Sequence, residues 1–157
     1  MATLTAARAA STFPVASGAV GAGALCVAYG TYTLAANPTA ADIIQFCKVP
    51  AGATVIGGWL QGADIDTGTE ELNIDIGWAA NGDEIADPDG FGDFGVLTGD
   101  VSPHVPVASV HVFLQGVLIS AGPKTFNRET MIQGVVNVDA ATGGTGVLTL
   151  VVLYVMP

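Results

Sequence analysis

The sequence predicts an all-β protein: a sandwich or barrel of seven strands, with a short candidate eighth, behind an N-terminal arm. Three observations carry this expectation. Strand-like patterns run from Leu25 to Met156, turn chemistry recurs between them at short spacing, and no segment has the strand-helix-strand signature of a βαβ unit. The length fits one domain, since a chain of roughly 150 residues buries about 68–70% of its unfolded surface without disulfide help.

The elements follow in order. Ala2 to Gly23 is rich in Ala, Ser, Thr and Gly and holds neither period, so residues 1–23 read as an arm, with a helical turn near Ala6 to Ala10, that orders against a neighbour. Residues 24–157 form the β domain. Its strands are Leu25 to Leu34, Asp42 to Val49, Ala53 to Ile65, Glu71 to Trp78, Val107 to Ile119, Glu129 to Asp139 and Val147 to Met156, with Phe94 to Thr98 as the candidate eighth. Asn37-Pro38, Pro50-Ala51-Gly52, Asp66-Thr67-Gly68, Gly122-Pro123 and Gly143-Gly144 supply the turns.

Composition poses the central question. Half the chain is hydrophobic and only 11% is charged, with a net charge of −10; the isoelectric point is about 4.1 and the mean hydropathy +0.56. Such hydrophobicity excludes disorder, and such acidity excludes a nucleic-acid binder. A membrane does not absorb the apolar residues, because the two long uncharged stretches are broken by Pro14, Pro38, Gly143 and Gly144. Gly18 to Tyr29 makes too thin an apolar core for a secretory signal. Cys26 and Cys47 either form one disulfide or remain thiols, and the expected compartment is reducing, which favours thiols.

Alternation shows where the surplus lies. Glu71 to Trp78 has a dry face (Leu72, Ile74, Ile76, Trp78) and a wet one (Glu71, Asn73, Asp75). The last strand lacks a wet face: Leu148, Leu150, Val152 and Tyr154 point one way, and Val147, Val151, Leu153 and Val155 the other. Val107 to Ile119 behaves alike, with Val107, Phe113, Val117 and Ile119 on its second side. An apolar outer face in an antiparallel sandwich needs a cover, either another subunit or the chain's own arm.

Eleven of the fourteen acids lie between Lys48 and Lys124, where there is no Lys or Arg, and six fall in the connection Asn81 to Pro106. Three readings fit that connection. Asp83, Asp87 and Asp89 before Gly90 are candidate calcium ligands, although they lack EF-hand spacing. Alternatively the loop is a solvated acidic surface, or a partner-facing one anchored by Phe91 and Phe94. Catalytic signatures are missing. Cys26, Cys47, His104 and His111 have no zinc-site spacing, and no GxSxG, SxxK or Walker loop occurs, so the chain reads as a non-enzyme without a resident cofactor.

The run TYTLAANPTAADIIQFCKVPAGATVIGGWLQGADIDTG (Thr31 to Gly68) and the following ELNIDIGWAANGDEIADPDGFGDFG (Glu71 to Gly95) resemble the head decoration, or cement, proteins of tailed bacteriophages. That resemblance implies a jelly-roll-like antiparallel β-sandwich of about eight strands with an extended N-terminal arm. It also implies a homotrimer bound to a major capsid protein of HK97 type, on the outer capsid surface of a virion, made in the bacterial host cytoplasm. Under it, Val107, Phe113, Val117, Ile119, Val147, Val151, Leu153 and Val155 become subunit contacts, and Ala2, Thr3, Leu4, Arg8, Phe13 and Pro14 belong to an arm that binds the shell. No nucleic acid, membrane or catalytic residue is implied. The alternative is a tail or surface adhesin module that recognises glycans, with calcium at Asp83, Asp87 and Asp89.

Overall fold

The computed structural model describes residues 2–6, 9–11, 24–63, 65–66, 71–96, 109–141 and 146–156. Its strands are β1 (Thr3–Thr5), β2 (Leu25–Leu34), β3 (Ile43–Val49), β4 (Thr54–Ala63), β5 (Asn73–Trp78), β6 (Asp87–Gly92), β7 (Ser109–Phe113), β8 (Lys124–Thr125), β9 (Thr130–Val138) and β10 (Gly146–Val155), with one helical turn, α1 (Val117–Ser120), between β7 and β8. They form two five-stranded sheets, one ordered β1-β3-β9-β5-β6 and the other β2-β10-β4-β7 with β8 also paired to β4. Every pairing is antiparallel except that of β1 with β3. The all-β sandwich read from the sequence is therefore the fold, with ten strands where about eight were expected.

Period 2 explains the packing. The inward residues of β10, Leu148, Leu150, Val152 and Tyr154, meet Ile44, Phe46 and Val49 of β3, Ile74, Ile76 and Trp78 of β5, and Ile132 and Val136 of β9 in one continuous core. Where β2 passes over β3 the backbones nearly touch. A Cβ on Gly30 would lie 1.9 Å from the Phe46 carbonyl oxygen, so only glycine permits that approach. Asp66, 3% exposed, accepts the backbone N–H groups of Glu71 (2.7 Å), Leu72 (2.9 Å) and Ala141 (3.1 Å), and so ties the start of β5 to the chain beyond β9.

Several elements depart from the sequence reading. Val107 to Ile119 is not one strand: β7 ends at Phe113, and Val117 and Ile119 lie on α1. The break is Gly116, at φ 55°, whose missing Cβ would sit 2.4 Å from the Gly90 carbonyl oxygen. Phe94 to Thr98 is not a strand over its described residues: Val96 makes only an isolated bridge to Asn73. The strand there is β6, inside the acidic connection, where an edge position accommodates Pro88. Val107, His104, Arg8, Phe13 and Pro14 lie outside the described residues.

Candidate assembly surfaces

The outer face of β2-β10-β4-β7 is built from four strands, and none of them contains an Asp, Glu, Lys or Arg. Paired residues in antiparallel strands share a face. The register therefore lays out rows: Leu25 beside Val155, Val27 beside Leu153, and Tyr29 beside Val151, which is beside Trp59, which is beside Phe113. Leu25 and Phe113 are each 60% exposed, and Val27, Tyr29, Ile56 and Val147 are exposed too. A further row is polar. The Thr31 and Thr149 hydroxyls are 3.0 Å apart, Gln61 Oε1 accepts from Trp59 Nε1 at 3.0 Å, and the His111 ring meets Phe113 edge to face at 5.0 Å.

Of the sequence-selected contact residues, Phe113, Val147, Val151, Leu153 and Val155 come together on this face. Val117 is packed against the core from α1, and Ile119 is exposed beside it. Sequence reasoning missed the β2 contribution, although Leu25, Val27 and Tyr29 alternate there with the smaller Cys26, Ala28 and Gly30. Large residues on one side and small ones on the other were a legible signal that the large side is the outer, apolar one.

Over its described residues, Asn81 to Val96, the acidic connection is braced by ion pairs. Lys124 Nζ contacts Glu84 Oε2 at 2.7 Å and lies 5.0 Å from the centre of the Trp78 ring; Arg128 Nε donates to Asp83 Oδ1 at 2.7 Å. Beneath, Trp78, Phe91 and Phe126 pack edge to face with centroids 5.1, 5.3 and 6.2 Å apart. Phe91 is wholly buried and is no partner anchor, while Ile85 stands 87% exposed at the tip. Asp83, Asp87 and Asp89, the candidate calcium ligands, are not gathered into one cluster. Asp83 is committed to Arg128, and among the described residues no three His, Cys, Asp or Glu side chains are grouped to hold a metal ion. Burial raises the Asp87 carboxyl above its ordinary range, and the adjoining Asp89 raises it further.

On the outer face of the first sheet Asp75 is 6% exposed, and its Oδ1 is buried without a hydrogen-bond donor. Burial pushes its carboxyl up; the Asn137 amide, donating to Oδ2, opposes this, and Asp93 and Asp89 reinforce it.

The arm residues Ala2, Thr3 and Leu4 belong to β1 and its entry. They run along β3, with Thr3 opposite Ile43, Leu4 opposite Ile44 and Thr5 opposite Gln45, and Leu4 packs against the core. Thr5 Oγ1 donates to Gln45 Oε1 at 3.2 Å, and the chain then turns through an Ala9 N–H to Ala6 carbonyl bond of 2.9 Å. Asp42 accepts the Thr39 and Ala2 N–H groups, which hold its carboxyl below the usual range.

No family model matches this sequence, and no curated protein matches it. Solved structures do. A chain of the Ralstonia phage GP4 capsid aligns with a TM-score of 0.70 at 18% identity, over 99% of this chain and 98% of that one. The fold is that of bacteriophage capsid chains. A chain of the cyanophage Pam1 capsid asymmetric unit aligns at 0.65 and 22% identity, over 96% and 99%. A chain of the acidic stable capsid of Helicobacter pylori bacteriophage KHP30 aligns at 0.54 and 16% identity, over 85% and 88%. At these identities the shared property is the β-sandwich itself, over nearly the whole length of both chains in the first two cases.

Proposed function

We propose that the chain is a structural, non-enzymatic virion protein. It binds the outer surface of an assembled phage shell made of an HK97-type major capsid protein, and it acts there as a homotrimeric cement. The observation that carries this reading is end-to-end similarity to chains of two phage capsids, which leaves little of this chain for any other domain. The uncharged outer face of β2-β10-β4-β7 supports it, since a contiguous apolar surface of this kind needs a partner. That face supplies the subunit contacts, through Phe113, Val147, Val151, Leu153 and Val155. The braced acidic connection faces solvent or basic patches on the shell, and Arg8, Phe13 and Pro14 reach shell subunits from the arm. Stabilisation follows by mass action: a protein that binds only the assembled shell raises the work needed to break it.

Expanded shells that lack this chain test the reading directly. Adding the purified protein should give saturable, stoichiometric co-sedimentation and a higher shell disruption temperature. Shells that neither bind it nor gain heat resistance would sink the proposal.

A further inference from the structure

The seat beneath β1 specifies a short extended tag rather than a particular chain. At its head Asp42, 7% exposed, takes the Thr39 N–H and hydroxyl at 3.1 Å each, and the Ala2 N–H at 3.0 Å is its third donor. Ala41, at φ 69° in a region that non-glycine residues rarely enter, sets the turn that presents this carboxylate. Further along, the Ile43 N–H donates to the Ala2 carbonyl at 3.1 Å, and the Gln45 carbonyl accepts the Ala6 N–H at 2.8 Å. Leu4 packs against the core, and Ala6 and Ala9 are 2% and 3% exposed. Left empty, the seat would be a buried carboxylate short of one donor beside an unpaired strand edge and an apolar slot, so it demands an occupant.

The seat does not fix which copy supplies that occupant. Among the described residues β1 pairs only with β3, over three residues, so its pairing contacts are identical whether the tag belongs to the same chain or to another. Residues 10–24 tether the tag to β2. Fully extended they span up to about 50 Å, more than the roughly 36 Å diameter of a compact domain of this size. Once copies are held side by side, a neighbour's tag competes at millimolar effective concentration, and exchange ties protomers together with no new contact chemistry. We propose that the β3 edge from Asp42 to Gln45 is an acceptor for the N-terminal strand of a second copy, so that β1 passes between protomers when copies assemble.

Thr5 and Gln45 are register partners whose side chains meet at 3.2 Å, which places them well for a cysteine pair. The experiment mixes full-length, isotope-labelled chain carrying Thr5→Cys with unlabelled chain carrying Gln45→Cys, oxidises the mixture mildly and examines it by mass spectrometry. A peptide linking positions 5 and 45 is then necessarily interchain. Exchange predicts that this peptide forms in the mixture, and that the chain carrying both substitutions gives covalent dimers and larger species on a denaturing gel. Wild-type chain oxidised in parallel accounts for Cys26 and Cys47. An internal 5–45 link in the double variant with none in the mixture overturns the proposal, and so does the absence of any 5–45 link. The readout needs no shell, so this inference and the capsid reading fail independently.

Discussion

The outer faces of the two sheets solve opposite problems with the same alternation. On β1-β3-β9-β5-β6 the outward residues include Gln45, Lys48, Asn73, Asp75, Gln133 and Asn137; Asn137 donates to Asp75 and Thr5 to Gln45, while Asn73 Oδ1 and Asp75 Oδ1 are buried without a partner. On β2-β10-β4-β7 the outward residues are mostly aliphatic, aromatic or hydroxylic, with Gln61 and His111 in one polar row, and the four strands contain no Asp, Glu, Lys or Arg. A polar outer face can meet water directly, whereas a contiguous apolar one calls for a cover. The contrast locates the charge deficit of the whole molecule: the missing ions are missing from one sheet.

Damage from within should fall on both faces at once. Phe126 is wholly buried and completes the aromatic trio with Trp78 and Phe91. Phe126→Ala should lower the free energy of unfolding by about 3–5 kcal/mol, read from urea denaturation. A loss below about 1 kcal/mol would mean the trio is not the support of the acidic side.

The comparison itself is broken by a charge on the dry face. Leu153 lies at its centre, between Val27 and Gly57. Leu153→Glu should leave the circular dichroism spectrum folded while weakening association about 30-fold, the effect of losing one strong contact of about 2 kcal/mol. Light scattering measures it. Met131→Glu, on the other outer face and opposite Lys48, is the matched control and should leave association unchanged. Equal effects from the two substitutions would erase the distinction between the faces.

Legibility divided along the same line. Strands whose stability is written in their own alternation, β2, β3, β4, β5, β9 and β10, were all visible, as was the second apolar face of β10. What escaped depends on distant partners. Ala2 to Ala6 has no local strand signal and is held by Asp42 and Gln45 across 40 positions. Asp87 to Gly92 reads as a turn until β5 pairs with it, and Val107 to Ile119 reads as unbroken until Gly116 meets Gly90. Asp83, Asp87 and Asp89 are near in sequence, but the cations that pair with Asp83 and with the adjoining Glu84 lie some forty positions away at Arg128 and Lys124.

The buried carboxyl of the polar face sets a pH dependence whose sign follows from its environment. Burial raises Asp75 above the ordinary value of 3.8, so the folded state holds that proton more tightly than the unfolded chain. Its contribution to stability is full below the unfolded pKa and is lost as pH rises through the folded one. Asp75→Asn keeps the neutral form at every pH. The variant should melt higher than wild type at pH 7, with the gap closing towards pH 3. A gap that widens on acidification would reverse the assignment. Asp42, lowered by its Thr39 and Ala2 donors, has the opposite sign and withdraws its support as pH falls through its folded pKa.

The smallest effect belongs to the ion pair of the polar sheet. Lys48 Nζ reaches Glu129 Oε1 at 2.7 Å, but the Glu129 side chain is 49% exposed, so water and salt screen the attraction and two long side chains lose freedom to make it. Glu129→Gln should cost at most about 1 kcal/mol, and half-molar salt should shrink that difference further. A larger, salt-insensitive loss in chemical denaturation would show that the pair is shielded by a neighbouring copy. In that case the polar face, too, is covered in the assembled state, and the two faces differ in the chemistry of their partners rather than in having one.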